Sequence, residues 1–205
     1  MFGKYKLKGV RPYIRLDEEL EFIDKKAADN AFKSCKKLIL DECLISKGFL
    51  KYRTNAYLRR NRIDVLEYID LQKERYGSKT FTVNYAMLPL YISHDFFCIG
   101  FGGRIGAMIC GKDTWWDYAD EKIAMVSFQN VAGALERFVL PWFEQYSDEQ
   151  MLLKRLQKDK ETSEKTGIAT GYFNEEWISS LEECDNRDAV ISANFEKLKL
   201  PVKLK

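Results

Sequence analysis

Residues 102–116 hold the densest group of side chains able to do chemistry. They run Gly102-Gly103-Arg104-Ile105-Gly106-Ala107-Met108-Ile109-Cys110-Gly111-Lys112-Asp113-Thr114-Trp115-Trp116. Gly106 to Lys112 has the spacing of a phosphate-binding loop up to its last position. There the chemistry needs a Ser or Thr hydroxyl to hold magnesium, and Asp113 stands instead. The four residues between the glycines are apolar and expected to prefer burial. A phosphate loop must leave its amides free around an anion. Gly100 to Gly106 resembles a dinucleotide loop with its third glycine one place late and no strand–helix alternation around it. Neither reading makes a nucleotide site, and no cofactor is expected.

Other candidates are thinner. His94 is the single histidine; it could form a nucleophile pair with Cys98 or Cys110, but a lone histidine in a polar His94-Asp95 turn is more often simply a surface residue. One histidine and dispersed cysteines do not supply the three or four ligands of a metal centre. Glu182-Glu183-Cys184-Asp185 reads as an acidic helix end. Lys51, Arg53, Arg59, Arg60 and Arg62, interleaved with Tyr52 and Tyr57, could track a phosphate backbone and stack bases. Trp115 and Trp116 are adjacent, so in extended chain they point to opposite faces, one into the core and the other partly exposed. Lys112-Asp113 suits a turn or cap, with Asp113 accepting backbone N–H groups. Tryptophan and arginine are also the favoured anchors of protein interfaces.

These residues must be held by the elements around them. The chain has 205 residues, 46% hydrophobic and 14% aromatic, which suits one domain with a substantial core. Its net charge of +2 hides an asymmetry. Residues 1–62 carry 16 Lys/Arg and 8 Asp/Glu, whereas residues 63–150 carry 7 and 13. Five unclustered cysteines argue for free thiols. With no apolar leader and no membrane-length apolar run, the expectation is a cytoplasmic protein with no membrane association.

Spacing predicts a helix over 28–47, capped by Asp29 or Asn30, with Phe32, Cys35, Leu38, Ile39 and Cys43 inward and Gly48 ending it. Residues 49–60 read as a basic hairpin turning at Thr54-Asn55. Ile63 to Lys73 and Lys79 to Tyr91 read as alternating strands, with Phe81, Val83 and Tyr85 inward and Thr80, Thr82 and Asn84 outward. A second long helix, 120–146, is capped by Asp120, carries Ile123, Val131, Leu135, Phe138, Val139 and Trp142 inward, and is kinked or ended by Pro141. A helix over 148–160, a polar loop over 161–171 containing Gly167 and Gly171, a short helix from Asn174 to Leu181, and an extended end follow. Near the N-terminus, 10–14 reads as extended and 17–21 as a helix start. The fold class is therefore α+β. An antiparallel sheet of four to five strands packs against two long helices, in a domain over 1–158 with a helical C-terminal extension over 159–205 packed on it.

The order of these pieces resembles the bacterial family of domain of unknown function 4304. The resemblance spans about 28–158. It rests on Gly48-Phe49, Gln72-Lys73-Glu74-Arg75, Phe81-Thr82-Val83-Asn84, Arg104-Ile105-Gly106, Gly111-Lys112-Asp113-Thr114-Trp115-Trp116 and Leu140-Pro141-Trp142-Phe143-Glu144. It implies a small α+β domain with no assigned activity, and it groups Gln72, Asn84, Arg104, Lys112, Asp113, Trp115 and Trp116 into one pattern. These seven are the candidate binding residues, with no catalytic residue among them. The reading is a non-catalytic domain for a protein partner. Its alternatives are an enzyme holding a small anion between Arg104 and Asp113, and a nucleic-acid binder using the basic run 51–62.

Overall fold

The computed structural model describes residues 24–97, 101–167, 175–182 and 186–204. The readings for residues 10–14 and 17–21, for Cys98, for Gly171 and Asn174, and for Glu183 to Asp185 lie outside them.

The chain is α+β. Helix α1 spans 25–46, α-helical at Lys25–Cys35 and Glu42–Ser46 with a π turn at Lys36–Asp41 between them. Five antiparallel strands follow in spatial order, β1 (Leu50–Arg53), β2 (Ala56–Arg60), β3 (Val65–Lys73), β4 (Thr80–Pro89) and β5 (Phe101–Arg104). Then come helix α2 (Ile105–Cys110) and the two-residue strand β6 (Trp116–Asp117). Helix α3 spans 121–145, with a π turn at Leu135–Val139. The chain closes with α4 (Glu149–Thr166), α5 (Glu175–Glu182), α6 (Arg187–Lys197) and a 3-10 turn at Val202–Leu204.

The meander follows from the alternation. Arg53 pairs with Ala56 across the Thr54-Asn55 turn, as expected. Tyr57, Ile69 and Tyr85 line up across β2, β3 and β4. They point to the face covered by α1 and α3, where Phe32 meets Phe81 and Phe128 edge-on or near it and Tyr85 meets Trp142. The opposite face also receives cover. The Phe97 ring lies against Tyr52 and Tyr68, and α6 and the 3-10 turn reach Arg60 through the Phe195 ring and the Leu204 carbonyl. Thr82, expected to face outward, is fully buried as well. A sheet covered on both faces does not show polar–apolar alternation along its whole length.

Both long helices depart from a 3.6-residue stripe for one reason. A π turn inserts one extra residue and rotates everything after it. In α1 the inward face passes from Phe32 and Cys35 to Leu40 and Leu44. Ile39 and Cys43 are only half-buried and Leu38 is exposed, against expectation. In α3 the same shift buries Val139 and Phe143 and leaves Phe138 and Trp142 half-buried. Pro141 neither ends nor breaks α3. The helix is interrupted by the π turn just before it, and Pro141 sits in the first turn of the segment that follows, where a missing N–H costs little.

Three boundaries differ from the sequence reading. The α1 cap is Asp24, whose carboxylate accepts from Lys26 N and Ala27 N, while Asp29 pairs with Lys73 at 2.8 Å. Helix α4, capped by Asp148, runs on to Thr166 through the stretch read as loop, and ends at a left-handed Gly167. The terminal stretch is anchored: Leu198, Leu200 and Leu204 are buried. Gly48 and Asp120 hold the ends assigned to them.

Candidate functional site

β4 offers one edge to two partners. β5 pairs with it from Asn84 to Met87, and β6 pairs with it at Thr80 and Phe81. Residues 105–115 are the excursion between these two pieces of edge. Helix α2 fills the excursion, so the amides of the near-phosphate-loop are those of a helical turn. Gly111, at φ 73°, closes it by donating to the Ala107 carbonyl. Ala107 and Cys110, read as apolar residues preferring burial, are exposed, while Met108 and Ile109 are half-buried.

Gly106 is where the excursion closes on itself. A Cβ there would stand 2.5 Å from the Lys112 carbonyl oxygen and from Thr114 N. Gly106→Ala is expected to force the returning chain away and destabilise the protein by about 1–3 kcal/mol. A lowered urea midpoint at an unchanged slope would report it.

The returning chain sets the site. Asn84 and Arg104 are register partners across β4 and β5. The Asn84 amide donates to Gln72 Oε1 at 3.3 Å and to Asp70 Oδ2 at 3.4 Å. Arg104 Nη1 donates to Asp113 Oδ2, and the guanidinium lies 5.4 Å from the Trp115 ring centre. Gln72, Asn84, Arg104, Asp113 and Trp115 thus share one side of the sheet edge. Asp113 caps no backbone group, contrary to expectation; its carboxylate is taken by Arg104. Lys112 is exposed on the turn, and Trp116 is fully buried beside Phe81, its indole N–H without an acceptor. Trp115 is the half-exposed partner, so the expected division of the two tryptophans is what the structure has.

Sequence reasoning missed Asp70, which faces Asn84 across the β3–β4 ladder. Burial pushes its carboxyl above the usual range, opposed by hydrogen bonds from Asn84 and Tyr68 and by the Arg53 charge. Its signal was its place two residues before Gln72, on the same side of β3.

The other candidates separate. The His94 ring meets the Pro89 carbonyl at 2.6 Å, and Cys110 Sγ contacts Gly106 and Thr114, so the two form no pair. Glu182 accepts from Gln157. Tyr57 is buried and cannot stack a base. Much of the basic run has internal partners: Lys51 with Asp41, Arg59 with Glu67, Arg60 with Asp64. Among the described residues no cluster of His, Cys, Asp and Glu is placed to hold a metal ion, and no helix is long and apolar enough to cross a membrane.

The sequence model of a family described as domain of unknown function (DUF4304) matches residues 40–145. The chain belongs to the DUF4304 family. No curated protein and no solved structure matches it. The DUF4304 match begins in the π turn of α1 and ends with α3. It encloses the whole sheet and all seven candidate residues. The narrower span leaves α4 to α6 outside, although α5 and α6 are tied to the DUF4304 segment by hydrogen bonds. Trp177 Nε1 donates to the Tyr91 hydroxyl at 2.8 Å, and Asn194 bonds the chain at Leu90, Ile92 and His94.

Proposed function

We propose that this chain is a non-catalytic binding domain for a protein partner, met through the β5 edge and the excursion that follows it. The single observation carrying this reading is the Arg104–Asp113–Trp115 cluster. An arginine whose guanidinium lies 5.4 Å from the ring centre of a half-exposed tryptophan is held there by a carboxylate, at the surface. Such a preorganised pair loses little side-chain entropy on docking and offers both aromatic area and directed donors. Gln72 and Asn84, bonded to one another, extend the polar rim, and Lys112 lies beside it. The C-terminal helices reach the same sheet face at Arg60, and α4 runs unbroken through residue 158.

The arrangement argues against the enzyme reading. An anion clamp needs a guanidinium free for substrate, and this one is neutralised by Asp113. Gln72 and Asn84 cannot transfer protons in the way a general base does.

A photo-reactive side chain at position 115, introduced in the native cell, tests the proposal. A discrete protein adduct is expected, lost in Arg104→Ala and absent from the same probe at the exposed Tyr76. Equal adducts from positions 115 and 76, or none, would overturn it.

A further inference from the structure

At the far end of β2 the surface opens into a cavity of about 510 Å³. Its wall holds Arg59, Arg60, Arg62 and Lys203, with Asn61 between them and no acidic side chain. Two of these cations are already matched. Arg59 Nε meets Glu67 Oε2 at 2.6 Å, and its Nη1 donates to the Lys47 carbonyl at the end of α1. Arg60 holds Asp64 Oδ1 through two nitrogens and the Leu204 carbonyl through a third.

The other two are not matched. Arg62 gives Nε to the Ser147 carbonyl at 3.0 Å, which fixes its direction. No carboxylate among the described residues reaches Arg62 or Lys203. Of the four cationic residues that border the cavity, two are thus matched by carboxylates and two are not. The turn that presents them is itself fixed, since Asn61 Oδ1 accepts from Ile63 N and Val65 N. The opposite wall is the terminal 3-10 turn, whose Leu204 is buried and whose Lys203 is exposed. Unbalanced cations cost self-repulsion unless an anion visits them.

We infer that this cavity is a binding site for a small phosphate-bearing molecule, held by Arg62 and Lys203 with the paired Arg59 and Arg60 as walls. A planar guanidinium beside a point-like ammonium suits the spread charge of a phosphoryl group. Arg59 and Arg60, consecutive in β2, leave the strand on opposite faces, so the four basic residues border one cavity at the strand's end instead of lining a track along one face, and Tyr57 is buried. These features favour a small ligand over a nucleic-acid backbone. The site lies away from the β5 edge, so it stands or falls independently of the partner surface.

Calorimetric titration of the full chain with inorganic pyrophosphate at low ionic strength is the test. Saturable one-site binding is expected, weakened about tenfold or more in Arg62→Gln/Lys203→Gln and reduced by added salt. Lys203→Gln alone, on an exposed turn, carries the comparison if the double variant fails to fold, and is expected to weaken binding measurably. Absence of saturable heat, or affinity unchanged in a folded variant, would overturn the assignment. So would a single-stranded oligonucleotide binding through these residues where pyrophosphate does not.

Discussion

Asn194→Leu is expected to destabilise the protein by about 3 kcal/mol or more and to loosen the C-terminal helices from the sheet. Asn194 lies on α6 with 1% of its surface exposed. Its amide nitrogen donates to the Leu90 and Ile92 carbonyls at 2.7 and 2.5 Å, and its oxygen accepts from His94 N at 3.0 Å. One side chain therefore satisfies three backbone groups in the segment where the chain leaves β4. Leucine keeps the volume and removes all three partners. Each buried backbone group left without a partner costs about 1–3 kcal/mol. The nearby Trp177–Tyr91 bond and the Arg187 guanidinium, 4.1 Å from the Tyr91 ring centre, tie α5 and α6 to the same segment. Hydrogen exchange should show faster exchange across α5 and α6 in the variant, with the amides of β3 less affected. A loss below about 1 kcal/mol would mean that water replaces the missing partners.

The sheet was legible because each strand carries period-2 information that does not depend on its neighbours. Phe81, Val83 and Tyr85 read inward, and they are inward. The helices were legible as elements and misread in their second halves. Periodicity assumes a constant 100° per residue, and a π turn adds a residue without a composition signature. Leu38 was therefore placed in the core while Leu44 was not. At the candidate site, the family resemblance grouped seven residues, and the fold brings five of them to one edge. Trp116 leaves the group because adjacent residues in an extended chain face opposite ways. Asp113 was read as a local cap, yet its partner Arg104 belongs to the strand before α2. The contacts of Asn194 and Asp41 were not legible: each depends on a side chain meeting backbone or charge delivered by another element, and no local pattern reports that.

Asp41→Ala is expected to have the larger effect on stability, about 3–5 kcal/mol. Asp41 closes the π turn of α1 and lies in the core face of the helix. It accepts from the Tyr57 hydroxyl and from Lys51 Nζ at 2.7 Å, and it stands 3.6 Å from Lys36 Nζ. Lys36 is itself buried, donating to the Thr54 carbonyl at 2.5 Å. Removing the carboxylate strands a buried ammonium and a buried hydroxyl together. Asp41→Asn keeps an acceptor and should cost less. Lys36→Met added to Asp41→Ala should recover part of the loss, because the unpaired charge goes with it; a double-mutant cycle measures that coupling.

The pH dependence carries a second signature. Burial alone would raise the Asp41 carboxyl, but hydrogen bonds from Lys51 and Tyr57 and the charge of Lys36 outweigh it and hold the group below its ordinary value. Its contribution is thus present above the ordinary pH 3.8 and lost as pH falls through the lower folded value. Lys36 is pushed below its ordinary value, first by burial, with Asp41 opposing. The unfolded chain then holds a proton that the folded chain has released, so stability rises with pH up to the ordinary lysine range. Without Asp41 the opposing charge is gone and that alkaline rise should steepen. Urea unfolding of Asp41→Ala followed from neutral pH upward reads it directly. A slope no steeper than that of the unaltered protein would mean that Lys36 is not held by Asp41.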